Sequence, residues 1–230
     1  MGDTNANAKL MDLVSSVPYF QGVDPHMLER IARTLVKRSY AAGEVVFFEG
    51  EVGTRLYIIG EGYLKAVKVS MEGREQVLQI LGEGEMFGVV AVLHARENPA
   101  TVMALEASTV YSIDQTTLQE LISTSNALAG SIINNLAGRV LHLVELVEDL
   151  SLRSVESRLA RMLIERSDSG VVMRHRWTTQ AEMAARLGTV PDVINRALRR
   201  LVEEGAIELE RHQIRLLNTD LLRSKAMIEP

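Results

Sequence analysis

Apolar and polar positions along the chain fall into three textures. After a polar start, Met1 to Lys9, the segments Pro18-Tyr19-Phe20 and Pro25 to Val36 set Leu28, Ile31, Leu35 and Val36 near helical spacing and predict two short helices. From Ala41 to Ile113 the pattern changes to short β-rich runs: Val45 to Phe48, Leu56 to Ile59, Tyr63 to Val69 and Thr109 to Ile113. Glycines at 43, 50, 53, 60, 62, 73, 82, 84 and 88 punctuate them. Closely spaced strands with glycine turns predict a sandwich or barrel, with the N-terminal helices covering one end.

Asp114 then caps a helical stretch, and Ala129 to Leu150 carries the sharpest periodicity. Ala129, Ile133, Leu136, Val140, Leu143, Val147 and Leu150 recur at alternating intervals of four and three, the seam of a coiled coil. This predicts a helix that pairs with a second copy of the chain through Ile133, Leu136, Val140, Leu143, Val147 and Leu150. Leu141, Val144 and Leu146 lie off the seam and are expected to face the chain's own barrel. The alternative is a helix packed on its own domain. A break near Leu150 to Arg153 precedes an amphipathic helix over Ser154 to Arg166. The resulting expectation is a β-rich domain over 1–127, a long helix over 128–152 and a separate domain over 153–230.

The third texture is short helices and a hairpin. Thr178 to Gly188 reads as a capped helix ending in a glycine turn, and Pro191 to Glu204 as a second helix directly after it, with proline where a first-turn amide has no partner. Two helices joined by a tight turn make a helix-turn-helix, whose second member can enter the major groove. On that helix Val193, Ile194, Ala197, Leu198 and Leu201 supply the buried side, and Arg196, Arg199 and Arg200 project elsewhere. Arg196 lies close enough to the helix start to reach a guanine edge, Arg199 and Arg200 are placed to meet phosphates, and Asp192 can accept from a cytosine amino group. Ala206 to Leu209 and Gln213 to Leu217 flank Glu210-Arg211-His212 as a β-hairpin wing, with Arg211 at its tip as a backbone contact. The bland reading of each arginine is a solvated helix face or loop.

Charge sharpens this division. The chain of 230 residues has a formal charge of −5, yet from Leu152 onward it holds 14 Lys and Arg against 11 Asp and Glu, and before that 11 against 19. Basic charge is segregated towards the end expected to meet DNA. Cysteine is absent, which excludes disulfides, thiolate nucleophiles and iron–sulfur clusters. No phosphate loop, zinc pair or nucleophile–base pair is present, so an enzyme is not expected. With no apolar signal core or membrane-spanning run evident, a cytoplasmic protein with no membrane partner is expected.

The combination of Gly43-Glu44-Val45-Val46-Phe47 with Glu49-Gly50-Glu51, Leu56-Tyr57-Ile58-Ile59 before Gly62, Gly82-Glu83-Gly84-Glu85-Met86-Phe87-Gly88 and the helix-turn-helix resembles the superfamily of the cyclic-AMP receptor protein and the fumarate-and-nitrate regulator, over roughly residues 13 to 217. The resemblance implies an α+β chain: an N-terminal double-stranded β-helix, or jelly roll, that binds an effector, a long dimerisation helix and a C-terminal winged helix-turn-helix. It implies a homodimer that binds double-stranded DNA and works with RNA polymerase. By position Thr179 and Gln180 match backbone-contacting residues of the first motif helix. Pro191 and Asp192 replace the arginine and glutamate of the best-known members, so the operator does not carry over.

The same resemblance bears on the effector. Its pocket would be formed by Gly88, Val89, Val90, Asn98, Pro99, Ala100, Thr101, Leu143 and Val144. Cyclic-nucleotide binders carry a glutamate after the glycine matching Gly88, then an arginine and a serine for the phosphate. This chain has Val89, Asn98 and Pro99 there, and Leu143 and Val144 where polar residues meet adenine. A phosphate buried without a cation or strong donor costs several kcal/mol, so cyclic AMP in the usual mode is not expected; Arg96 is the nearby cation that could substitute. Haem remains open through His94 and His142, and Ala100-Thr101 with Pro191 resembles the nitric-oxide-type branch. A regulator with no ligand, and a ligand or partner module that has lost DNA binding, are the other readings.

Overall fold

The computed structural model describes residues 10–94, 96–175 and 177–227; the polar start Met1 to Lys9 lies outside them. The chain forms two compact units, Met1–Lys68 with Gln79–His142 and Val69–Leu78 with Leu143–Pro230, so the division falls inside the long helix.

In the first unit residues 10–16 are helical, a 3-10 turn follows at Pro18–Phe20, and α1 spans Pro25–Thr34. Asp24 caps α1 by accepting the Met27 N–H at 3.0 Å, and Pro25 occupies the first turn. The helix stops two residues before the expected end. Val36 instead opens strand β1, Val36–Tyr40, because these residues pair with a distant strand, and ladder bonds override a helical spacing that was local only.

The strands are β2 (Val45–Phe47), β3 (Arg55–Glu61), β4 (Leu64–Val69), β5 (Glu75–Leu81), β6 (Met86–Phe87), β7 (Thr101–Ala104) and β8 (Ser108–Asp114). They form two four-stranded sheets, ordered β1-β8-β3-β6 and β2-β7-β4-β5, the antiparallel double-sheet arrangement expected of a jelly roll. Side-chain alternation assigns the faces of the first sheet. Leu56, Ile58 and Ile113 pack with Ile31, Leu118 and Leu128 of the covering helices, whereas Tyr57, Ile59 and Val110 pack with Phe47, Leu64 and Val102 of the second sheet. A short helix α2, Val89–His94, interrupts the strands and was not foreseen.

Asp114 caps α3, Gln115–Thr124, accepting the N–H and the hydroxyl of Thr117, and those bonds hold its carboxyl below the ordinary range. The long helix α4 runs Asn126–Leu152. Leu128 and Ile132 are buried in the first unit's core and Leu136 packs against it in part, one per four residues. Farther along, the apolar side chains stand in the open: Ile133 is 65% exposed, Val140 60% and Val147 63%. By length and composition alone α4 could cross a membrane. Arg139, Glu145, Glu148 and Asp149 within it oppose that reading, since charges in hydrocarbon cost several kcal/mol.

The second unit contains α5 (Val155–Arg166), β9 (Val171–Met173), α6 (Gln180–Arg186), α7 (Pro191–Glu203), β10 (Ile207–Leu209), β11 (Gln213–Leu216) and α8 (Thr219–Ala226). Its sheet order, β10-β11-β9, adds an unforeseen third strand to the hairpin. Leu159, Leu163, Ile194, Leu198, Leu201, Ile207 and Leu222 fill a core of its own.

One turn in the barrel admits glycine alone. Gly62 has φ +89°, and a Cβ there would lie 2.4 Å from Ser108 Oγ and 2.8 Å from the Ala107 carbonyl oxygen. Gly62→Ala should therefore cost about 1–3 kcal/mol, read as a lower urea midpoint; an unmoved midpoint would show that the turn relaxes freely.

Candidate DNA interface and effector cavity

The second unit presents the helix-turn-helix through local chemistry. The Thr179 hydroxyl caps α6 by accepting the Glu182 N–H at 3.1 Å, and Gly188, at φ +63°, turns the chain into α7. Pro191 starts that helix. Ile194, Ala197, Leu198 and Leu201 are buried beneath it, while Asp192, Arg196 and Arg199 are exposed, and Gln180 is exposed at the start of α6. Arg196 Nε donates to the Asp192 carbonyl at 3.4 Å, a contact within the exposed face. Arg199, three residues on and just under a turn away, is exposed as well.

Arg200, expected to meet phosphate, is exposed and also paired within its own unit. Its guanidinium donates to Glu156 on α5 at 2.9 Å, and Lys225 of α8 bridges the same carboxylate to Glu204. These four charges tie the C-terminal half of α7 to the helices on either side. Burial pushes the Glu156 carboxyl up, but the hydrogen bonds and charges of Lys225 and Arg200 outweigh it and leave the group below its ordinary value. The same two carboxylates hold the Lys225 ammonium above its own. At the hairpin, Arg215 is paired with Glu208 at 3.2 Å and Glu210 at 3.5 Å, while Arg211 at the tip is exposed.

Inside the barrel, Phe47, Tyr57 and Phe87 form an aromatic cluster with ring centroids 5.0 to 5.9 Å apart. Beside it lies a cavity of about 80 Å³. Six of the expected pocket residues line it: Gly88, Val89, Val90, Asn98, Pro99 and Ala100. Gly88 must be glycine, since φ is +81° and a Cβ would lie 2.8 Å from the Arg55 carbonyl. Asn98 is buried, and its backbone bonds Glu51 at 2.7 Å and Gly50 at 3.0 Å, which fastens the loop to the barrel.

Three expected residues are not on that lining. Thr101 falls on the opposite face of β7 from Ala100 and Val102, and its hydroxyl accepts the Glu49 N–H at 3.0 Å. Leu143 and Val144 are exposed on α4, as is Leu141. Arg96 is exposed and also off the lining. The cation that does reach the cavity is Arg139, which lies off the seam of α4 and was not singled out in the sequence. Its Nε donates to the Tyr19 hydroxyl at 2.9 Å and its Nη2 to the Met86 carbonyl. Arg139 also lines an open pocket of about 410 Å³ with Tyr19, Asn135 and His142. His94 is exposed and lines neither. Among the described residues no group of three or more potential metal ligands converges.

Comparison with known proteins matches residues 37–125 to the cyclic nucleotide-binding domain and residues 157–225 to the Crp-like helix-turn-helix domain, between them more than half of the chain. A CRP-like cAMP-activated global transcriptional regulator of Mycobacterium tuberculosis is 26% identical over 94% of this chain and 99% of its own. The cyclic AMP receptor protein of Thermus thermophilus is 27% identical, over 84% and 88%. In fold the chain is similar to FixK2 from Bradyrhizobium japonicum, with a TM-score of 0.76 at 19% identity, covering 85% of this chain and 99% of that one.

The two arginines of α7 should separate experimentally. Arg196→Ala should weaken binding to a selected duplex by about 1–3 kcal/mol and relax one base position, whereas Arg200→Ala should lower the melting temperature and leave base preference unchanged. Acid should act through Glu156. A carboxyl held below its ordinary value of 4.5 contributes stability that is complete above that pH and lost as pH falls below it. Glu156→Gln should therefore flatten the fall of melting temperature below about pH 5; an unchanged acid limb would remove Glu156 as its source.

Proposed function

Since the chain belongs to the superfamily of the cyclic-AMP receptor protein and the fumarate-and-nitrate regulator, and is a DNA-binding transcription regulator of that type, we propose that it acts as a homodimer in which α4 pairs with its counterpart and the two α7 helices enter successive major grooves. The observation that carries this is the uncovered apolar stripe of Ile133, Val140, Leu143, Val147 and Leu150. Water-exposed leucine and valine at seam spacing along a helix of 27 residues is an unfavourable surface that a second identical helix buries symmetrically. Leu136, half-covered by its own unit, contributes only an edge to the pair.

At the DNA, Arg196 and Asp192 read bases, and Arg199, Thr179, Gln180 and Arg211 meet the backbone. Arg200 fixes the pose of α7 through Glu156. A regulator so bound acts on RNA polymerase at the promoter, in the compartment that holds the chromosome.

The effector, in this reading, is small and apolar, or there is none. Ligand sites usually hold about 300–1,000 Å³, and a cavity of 80 Å³ walled by Phe47, Phe87 and Val89 has room for neither a nucleotide nor a haem. Val89 and Pro99 bring no side-chain donor to the cavity where a ribose or cyclic phosphate would need one, and Asn98 and Arg139 are the polar side chains on its lining. Haem would have to rest on His142 beside the larger open pocket, with no second histidine lining it. These features favour a ligand-free regulator or a sensor of a small uncharged molecule.

Leu143→Glu places two carboxylates against each other across the proposed seam. It should convert a sedimenting dimer to monomer and abolish binding to a two-half-site duplex, while the parent's binding weakens steeply as salt rises. A dimer that survives the substitution would refute the seam.

A further inference from the structure

A second pocket in the first unit lies away from the cavity beside Val89. It holds about 280 Å³ on the face of the β1-β8-β3 sheet that carries Arg38, Tyr40, Arg55, Tyr57 and Ser112. The register brings these together: Ser112 pairs with Val36 on one side and with Tyr57 on the other, Arg38 lies opposite Val110, and Arg55 opposite Asp114. Arg38 and Arg55 therefore flank the row Val36-Ser112-Tyr57 from opposite directions. Lys37, opposite Tyr111 in the register, also reaches the lining and adds a third cation at its edge.

The polar chemistry is one-sided. Arg55 Nη1 donates to Ser112 Oγ at 3.2 Å, and the Arg38 guanidinium lies 5.1 Å from the Tyr40 ring centroid, so both cations are steered onto the pocket. Among the described residues neither arginine is paired with a carboxylate, and no carboxylate lines the pocket. The nearest acids are otherwise engaged: Asp114 caps α3, Glu44 accepts from the Ala41 N–H, and Glu51 accepts from the Phe48 N–H. Burial raises the Tyr40 and Tyr57 hydroxyls above their ordinary value, which keeps both protonated as donors.

Two unpaired guanidiniums, two phenols and a serine converging without a compensating acid make a surface that an anion completes. From this convergence of Arg38, Arg55, Tyr40, Tyr57 and Ser112, we propose that the pocket binds a small phosphate monoester. A dianion matches two guanidiniums where a single carboxylate would leave one unmatched, and a tetrahedral oxyanion accepts from donors on both sides of the row. The concavity suits a small molecule better than the side of an acidic protein segment. Tyr57 also stacks on Phe87, which lines the barrel cavity, so an occupant touches the aromatic cluster directly.

The test is calorimetric titration of the full chain with inorganic phosphate and with phenyl phosphate at constant ionic strength, with far-UV circular dichroism on every variant. The expected result is one saturable site per chain, weakened at least tenfold by Arg38→Gln or by Arg55→Gln and lost in the double variant. The pair Arg196→Ala with Arg199→Ala on the DNA face should leave it unchanged. Absence of saturable binding, equal binding by the Arg38/Arg55 double variant, loss in the DNA-face variant, or binding of a polyglutamate peptide but of neither phosphate would each overturn the proposal. The arginines are exposed, so their substitution tests the charge without emptying the core.

Discussion

The first unit depends on the fact that its β1-β8-β3-β6 sheet must be dry on both faces. Alternating residues of β3 and β8 send Leu56, Ile58 and Ile113 one way and Tyr57, Ile59 and Val110 the other, so helices have to cover one side and the second sheet the other. A one-residue slip would send each set to the opposite face, against a surface that packs the other set. The cavity beside Val89 and the arginine-lined pocket at Ser112 are both consequences, because each lies where the inward face of the barrel is incompletely filled.

In the second unit the equivalent constraint is electrostatic as well as apolar. Leu198 and Leu201 seat α7 on its core, but the network of Glu156, Arg200, Lys225 and Glu204 holds its far end. Arg196 and Arg199 stand exposed on the same helix, and an ion-pair network spanning three helices resists its rotation about the apolar contact. A network of partly buried pairs holds geometry better than an isolated surface pair does.

Much of the architecture was legible in the chain. The heptad spacing from Ala129 to Leu150, the glycine-punctuated strands and the capped pair of helices around Gly188 each rest on interactions between near neighbours, and they appear with boundaries within two or three residues of expectation. The expected pocket was readable in part, because Gly88 to Val90 and Asn98 to Ala100 are two short continuous segments. Strands β1, β5, β6, β7 and β9 and helices α2 and α8 were not read, since their pairing or packing partners are remote in the chain.

What the sequence by itself determined is therefore the long periodic helix, the capped helix pair and the absence of cysteine chemistry, all properties of composition or local period, while the missing cyclic-nucleotide residues rest on the family resemblance. Tertiary structure alone decided which arginines are free. Arg200 and Arg196 look equivalent on one helix, yet only folding places Glu156, 44 residues earlier, beside Arg200. In the same way only the sheet register gathers Arg38, Arg55 and Ser112, and only packing brings Arg139 of α4 to the barrel cavity. Charge partners across long stretches of chain are fixed by three-dimensional distance, which no periodicity encodes.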